Sequence, residues 1–419
     1  MKARGTVRVP GDKSISHRAL ICAAVANGES RITGILRSAD VESTASVLRT
    51  LGVQIPPLSD EMSFEGVGFG GLSEPRLALQ CGNSGTTARL LSGVAAACEF
   101  ASRFEGDASL SRRPMKRVAE PLTAMGARVE FERDDGLPMT IHGGDLSGIA
   151  WNTRAASAQT KSAILFAGLL AGVGVTVKEL RRSRDHTERM LASLGVPMTI
   201  GETSVSLTPV AVLEPLDVAV PSDPSSAAFP AALGVLAKDG EVRIPGVSIN
   251  PTRIGFLDAL ARMGASIRYL EKRTVAGEPT ATIVVAPRKL HGIRVTAEEV
   301  PAMIDELPLL ACVAAASGVS LDVSGAEELR VKESDRISVV VSNLKAIGAE
   351  AEEKRDGFRI AGGGATPLRG RIATHGDHRI AMAFGVLSYL DGNDIEIDDR
   401  ECVAISYPDF WRDLEALLE

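Results

Sequence analysis

Ala19-Leu20-Ile21-Cys22-Ala23-Ala24-Val25-Ala26 decides the fold, because no helical face of this stretch carries a polar residue. A helix that is apolar all round must be covered all round. Residues 90–97, 163–170, 227–237, 307–316 and 380–390 have the same character. These helices are expected to begin near Ser14, Ser84, Ser157, Ser225, Asp305 and His378, at steps of 70, 73, 68, 80 and 73 residues. Regular spacing of this kind marks a repeat, so the 419 residues read as six similar units.

Working outward, each buried helix is preceded and followed by a short strand pattern, such as residues 6–9, 218–220 and 241–244. An amphipathic helix comes next. Five of these helices run into Gly52, Gly126, Gly195, Gly264 and Gly348, the residue type that accepts a left-handed C-terminus. Alternating segments around turns such as Asp134-Asp135-Gly136 then predict hairpins. The unit is β-α-β-α-β-β, six times over. The expected fold is α/β, two inside-out domains of three units each, with central buried helices and outer sheets. A doubly wound sheet would instead make both helices of each unit amphipathic.

Composition narrows the function. Hydrophobic residues are 45% and charged residues 24%, the balance of a folded soluble chain. A net charge of −7 with 4% aromatics argues against a general nucleic-acid surface, which needs basic excess and stacking rings. Arg outnumbers Lys 35 to 11, which suits forked recognition of phosphate and carboxylate in local pockets. The longest apolar run, residues 163–175, is too short to span a bilayer, and residues 1–13 have no signal-like stretch. Cys22, Cys81, Cys98, Cys312 and Cys402 read as reduced core thiols of a cytoplasmic protein. No metal-ligand spacing is present, and neither metal nor cofactor is expected.

Chemistry concentrates where strands enter buried helices, because helix N-termini attract anions. Lys13, Ser14 and Arg18 lie at the first such end, where Ser14 or Ser16 also fits as an N-cap. Cys81-Gly82-Asn83-Ser84-Gly85-Thr86-Thr87 is small enough for a ligand to approach the backbone, and equally fits a plain capped helix. Arg112, Arg113 and Lys116 oppose the dipole of the helix they begin, so an anion is expected there. Ser157-Ala158-Gln159 is another small polar entry. His186, beside Asp185 and Glu188, reads as part of a surface pair rather than as a base. Asp305-Glu306 fits either N-capping or acid–base work. Lys332, Glu333 and Arg336 have the spacing of a surface salt-bridge ladder on a helix. Together with Arg184 and Arg379, these cations and carboxylates imply a transferase or lyase acting on phosphorylated or carboxylated metabolites.

Residues 11–18, Gly82-Asn83-Ser84-Gly85-Thr86, Arg113-Pro114, Ser157-Ala158-Gln159, residues 330–336 and Asp377-His378-Arg379 carry a resemblance over nearly the whole chain. They resemble the 5-enolpyruvylshikimate-3-phosphate (EPSP) synthase family. The resemblance implies transfer of the enolpyruvyl group of phosphoenolpyruvate to the 5-hydroxyl of shikimate 3-phosphate in the shikimate pathway. It implies domains over residues 12–222 and over residues 1–11 with 223–419, closing on their ligands. Lys13, Ser14, Arg18, Ser157, Ala158, Gln159, Arg184, Asp305 and Lys332 would then hold shikimate 3-phosphate. Lys13, Gly85, Arg113, Gln159, Arg336 and Arg379 would hold phosphoenolpyruvate. Asp305 would take the 5-hydroxyl proton and Glu333 would protonate the methylene carbon. An unperturbed Asp, with a pKa of about 3.9, is a weak base at neutral pH, which adds Lys13 as a catalytic candidate.

The implied partners are these two small molecules only, with no nucleic acid or membrane, and the chain is expected to be a monomer. Two features depart from the family pattern. Ile405 stands where many relatives have Lys. The Ser-Ala-Gln form and the Asp-Ala-Ser-Leu stretch lean toward a glyphosate-tolerant subgroup, whereas Gly85 is the residue associated with sensitivity, so sensitivity is expected. UDP-N-acetylglucosamine enolpyruvyl transferase shares the fold and donor but carries a reactive Cys in a mobile loop, and residues 103–116 have none. A non-catalytic binder of phosphorylated metabolites would have no need of Asp305 and Glu333.

Overall fold

A computed structural model describes residues 1–154, 157–363 and 367–419. Its elements follow the repeat. The first copy is β1 (Gly5–Thr6), α1 (Lys13–Val25), β2 (Glu29–Thr33), α2 (Ala39–Thr50) and β3 (Glu61–Glu65). The second is β4 (Leu79–Gln80), α3 (Gly85–Ala96), β5 (Ala101–Glu105), α4 (Lys116–Met125), β6 (Arg128–Phe131) and β7 (Met139–His142). The third is β8 (Ile149–Asn152), α5 (Ala158–Leu170), β9 (Val175–Lys178), α6 (His186–Ser193), β10 (Met198–Ile200) and β11 (Ser204–Leu207). The fourth is β12 (Asp217–Ala219), α7 (Pro224–Leu236), β13 (Val242–Ser248), α8 (Gly255–Arg262), β14 (Ser266–Val275) and β15 (Glu278–Ala286). The fifth is β16 (Ile293–Val295), α9 (Leu307–Ser317), β17 (Leu321–Val323), α10 (Arg336–Ala346), β18 (Ala351–Lys354) and β19 (Gly357–Ile360). The sixth is β20 (Arg369–Ile372), α11 (His378–Ser388), β21 (Asp394–Ile397) and α12 (Phe410–Glu415).

Two copies fall short of the expected unit. The first has one strand after α2 instead of a hairpin, because Gly66, Gly68, Gly70, Gly71 and Pro75 break the chain segment beyond β3. The sixth reaches α12 with no later strand among the described residues.

The chain folds as two compact units. The first unit is Gly11–Val220 with Thr274–Glu278, the turn between β14 and β15. The second is Met1–Pro10, Pro221–Arg273 and Pro279–Glu419. Exchanged strands account for the division. Gly5 and Thr6 of β1 pair in parallel with Val242 and Arg243 of β13, in the fourth copy's sheet. In return, β12 leaves the fourth copy and pairs with β2, placing Val218 opposite Ile32. Complete copies share one sheet pattern, seen in the orders β4-β5-β7-β6 and β16-β17-β19-β18.

Each unit has its own hydrophobic core. In the first, α1, α3 and α5 are buried along almost their whole length. Strands alternate around them, with Ile32, Met62, Phe64, Ile141 and Val205 pointing inward. Close contact between α3 and α5 requires Gly93, where a Cβ would lie 2.1 Å from the Ala163 carbonyl oxygen. In the second unit α7, α9 and α11 take the same central place. The five glycines after the amphipathic helices have φ between 82° and 121°, as a left-handed C-terminus demands.

Among the described residues no helix is long and apolar enough to cross a membrane. No group of three or more His, Cys, Asp and Glu able to hold a metal is found among them. The five cysteines are unpaired and buried. Ile405 ends a 3₁₀ turn, Glu401–Ile405, and packs on the core of the second unit.

Candidate active site

In the first unit most of the residues singled out by sequence lie at the N-terminal ends of three buried helices, with Arg113 and Arg184 ahead of α4 and α6. Asp12, not Ser14 or Ser16, caps α1, accepting from the Ile15 amide at 2.9 Å. Ser16 instead donates to the Asp12 carbonyl and accepts from the Leu36 amide. Lys13 is part-buried with its Nζ 2.9 Å from Asp40 Oδ2. Ser14 offers its carbonyl to Arg18 Nη1 at 2.8 Å, and Arg18 is 3% exposed.

Ser84 caps α3, so Gly85 is its first residue. A Cβ on Gly85 would lie 2.9 Å from Arg89 Nη1 and 3.6 Å from Arg113 Nη1. Arg89 Nη1 donates to Gln159 Oε1 at 2.7 Å, and Gln159 Nε2 donates to Thr86 Oγ1 at 3.0 Å. Arg113 Nη2 donates to Asn83 Oδ1 at 2.6 Å. Ser157 caps α5, and Ala158 and Gln159 form its first turn. Gly85, Arg113 and Gln159 are thus gathered around Arg89, a residue that sequence reading passed over. Arg184 precedes α6, near enough to Arg18 to help lower the Arg18 pKa.

The anion expected at the start of α4 is the protein's own. Asp135 Oδ1 accepts from the Met115 and Lys116 amides at 2.7 and 2.9 Å, which offsets the cations at that end. His186 also differs from expectation. It is buried, and its Nδ1 lies 2.7 Å from Glu278 Oε1 rather than in a surface pair. Glu278, 92 positions away, belongs to the 274–278 segment that groups with the first unit.

In the second unit the candidate acid and base share one guanidinium. Arg336 is 1% exposed and begins α10. Its Nη1 lies 3.3 Å from Asp305 Oδ1, and its Nη2 donates to Glu333 Oε2 at 2.7 Å. Nε and Nη2 also reach Asp377 at 2.8 and 3.2 Å. Four of its five N–H groups are thereby engaged. Burial alone would lower the Arg336 pKa, but Asp377, Glu333 and Asp305 outweigh it and raise the value. Burial pushes the Asp377 carboxyl up, and Arg336 more than reverses this, so it lies below the usual range.

Lys332 Nζ is 3.5 Å from Asp305 Oδ1. Arg379 Nη1 is 3.9 Å from buried Glu306. Asp305 and Glu306 form a 3₁₀ turn before α9 and give it no side-chain cap. The surface ladder is not formed. Lys332 and Glu333 precede the helix, and Arg336 points into the unit. The Asp335 cap, accepting from the Ser338 amide at 3.1 Å, is the sequence signal that sets this start.

Asp305 and Glu333 are thus held on different nitrogens of one buried cation. The supporting residues to which sequence reading gave no role are Asp40, Asn83, Arg89 and Asp377. Asp377 belongs to the Asp377-His378-Arg379 motif, whereas Asp40 is 27 positions from Lys13 and carries no local signal.

A family model described as EPSP synthase (3-phosphoshikimate 1-carboxyvinyltransferase) matches residues 1–414. A 3-phosphoshikimate 1-carboxyvinyltransferase of a Sulfurihydrogenibium species is 45% identical over 420 residues, covering 99% of this chain and 97% of the relative. One from Aquifex aeolicus is 45% identical over 426 residues, covering 100% and 98%. The solved EPSP synthase from Acinetobacter baumannii superposes with a TM-score of 0.87 at 40% identity, covering 99% and 96%. The enolpyruvyl transferase NikO from Streptomyces tendae, 18% identical with a TM-score of 0.76 and coverage of 99% and 95%, shares the fold.

Proposed function

Because the chain belongs to the EPSP synthase family, we propose how its residues divide the enolpyruvyl transfer from phosphoenolpyruvate to shikimate 3-phosphate, a step of aromatic amino acid biosynthesis. Lys13, Ser14, Arg18, Ser157, Ala158, Gln159 and Arg184 of the first unit, with Asp305 and Lys332 of the second, bind shikimate 3-phosphate. Lys13, Gly85, Arg113, Gln159, Arg336 and Arg379 bind phosphoenolpyruvate. The ligands are free metabolites, and the enzyme works on them as a monomer in the cytoplasm.

Glu333 gives a proton to the methylene carbon of phosphoenolpyruvate, and the neighbouring carbon becomes cationic. The 5-hydroxyl oxygen attacks that carbon while Asp305 takes its proton. A tetrahedral intermediate results. Loss of phosphate from it, with return of a methyl proton to the protein, restores the double bond in the product. The cations balance phosphate and carboxylate charge throughout. Lys13 holds both ligands and assists the proton transfer at the 5-hydroxyl.

The observation that carries this reading is the contact of Asp305 and Glu333 with one buried arginine. Glu333→Gln tests it. Calorimetry should show shikimate 3-phosphate binding as in the parent, while turnover falls by about a hundredfold or more, the scale of lost general acid catalysis. Full turnover in this variant would remove Glu333 from the mechanism.

A further inference from the structure

Arg18 is buried, yet among the described residues no carboxylate lies within ion-pair distance of it. Its contacts are three neutral oxygens. Nε donates to Thr187 Oγ1 at 2.6 Å, Nη1 to the Ser14 carbonyl at 2.8 Å and Nη2 to Ser162 Oγ at 2.8 Å. A guanidinium has five N–H groups, so one remains on each terminal nitrogen.

The hydroxyls are ordered. Ser162 Oγ also lies 2.7 Å from the Ala158 carbonyl, which only accepts, so the Ser162 proton goes there. The 2.6 Å contact between Thr187 and Ser162 must then be donated by Thr187. The chain Arg18→Thr187→Ser162→Ala158 runs in one direction and joins α1, α6 and the first turn of α5.

Charge balance comes from the next residue along. Glu188 Oε1 and Glu179 Oε2 each lie 2.7 Å from Lys161 Nζ, and all three side chains are buried. Two carboxylates on one ammonium carry one surplus negative charge when both are ionised, although burial pushes the Glu188 carboxyl above its usual range. Burial lowers the Arg18 pKa to about 10, and Glu188 is the leading charge that opposes the fall. A carboxylate in direct contact would neutralise Arg18. Hydroxyls orient it and leave its charge for a ligand.

The geometry points to Thr187 and Ser162 as positioning residues for the acceptor's anionic group, holding the Arg18 fork on neutral oxygens while the Lys161–Glu179–Glu188 cluster supplies the counter-charge. The inference rests on the proposed role of Arg18 in binding shikimate 3-phosphate.

Thr187→Val removes the hydroxyl and keeps the shape. A hydrogen bond to a charged group corresponds to roughly a tenfold change or more. The Kd for shikimate 3-phosphate alone, by calorimetry, and its KM should therefore rise about tenfold. The kcat and the KM for phosphoenolpyruvate should stay within about twofold. Thr187→Ser should restore the parent values, and Ser162→Ala should weaken the same two constants. Thermal transitions establish that each variant folds. If Thr187→Val does not fold, Ser162→Ala decides, with acceptor-specific weakening supporting the inference and unchanged binding overturning it. Parent-like acceptor binding in Thr187→Val, no rescue by Thr187→Ser, or a loss spread equally over kcat and both KM values would also overturn it. A parent protein that does not bind shikimate 3-phosphate would overturn the acceptor assignment, and this inference with it. Parent binding with unaffected variants would overturn the inference alone.

Discussion

Asp377→Asn is the most informative single change to the second unit. Asp377 is fully buried and accepts from Arg336 Nε at 2.8 Å, Arg336 Nη2 at 3.2 Å, Ser334 Oγ at 2.9 Å and the Arg379 amide at 3.0 Å. Asn can still cap α11, because one oxygen remains for the Arg379 amide. It cannot balance Arg336, and its NH₂ would face a guanidinium. Removing one partner of a buried ion pair typically costs 3–5 kcal/mol, and the retained contacts of Asp305 and Glu333 place this case near the lower end, at about 3 kcal/mol. With a urea slope of about 3 kcal/mol per molar, the unfolding midpoint should fall by about 1 M. Turnover should fall too, since Arg336 loses the contact that fixes the plane presenting Asp305 and Glu333. Urea titration followed by circular dichroism, with initial rates on the same preparation, measures both effects. A midpoint within about 0.2 M of the parent with unchanged kcat would refute the argument that Asp377 holds Arg336.

Gly85→Ala should leave the thermal midpoint nearly unchanged, because its Cβ meets the movable tip of Arg89. The KM for phosphoenolpyruvate should rise several-fold as Arg89 shifts from Gln159, and an unchanged KM would show that Arg89 adapts without cost. The parent, with Gly85, should be inhibited by millimolar glyphosate, an unchanged rate being the contrary result. Burial pushes the His17 imidazole down to about 3, so His17 stays neutral in the folded protein. A depressed folded pKa means that its stability contribution is complete above the unfolded value, about 6.5, and is lost as pH falls toward about 3. His17→Asn should therefore flatten the decline of stability between pH 6.5 and 4, and an identical slope would remove His17 as its source.

The buried helices were legible because burial on every face erases the 3.6-residue period. Runs such as residues 163–170 cannot be surface helices. The glycines at 52, 126, 195, 264 and 348 were legible because each must adopt positive φ. Sheet membership was not written locally. β1 and β12 are both short strand signals, and neither pattern names the partner that the other copy supplies. The same limit explains the site. Lys332, Glu333 and Arg336 have helical spacing, but Asp335 starts the helix one residue before Arg336 and turns that arginine inward. His186 has acidic neighbours that suggest exposure, yet Glu278 reaches it from 92 positions away. Helix entry points could be read from single stretches. The second partners that orient them, such as Asp40, Arg89 and Thr187, came from distant stretches of the chain.

Phosphate release from phosphoenolpyruvate, measured with shikimate 3-phosphate and in parallel with UDP-N-acetylglucosamine, tests the central claim most directly. Release with shikimate 3-phosphate alone is the predicted result. Release with UDP-N-acetylglucosamine alone, or with neither acceptor from folded protein, would contradict it.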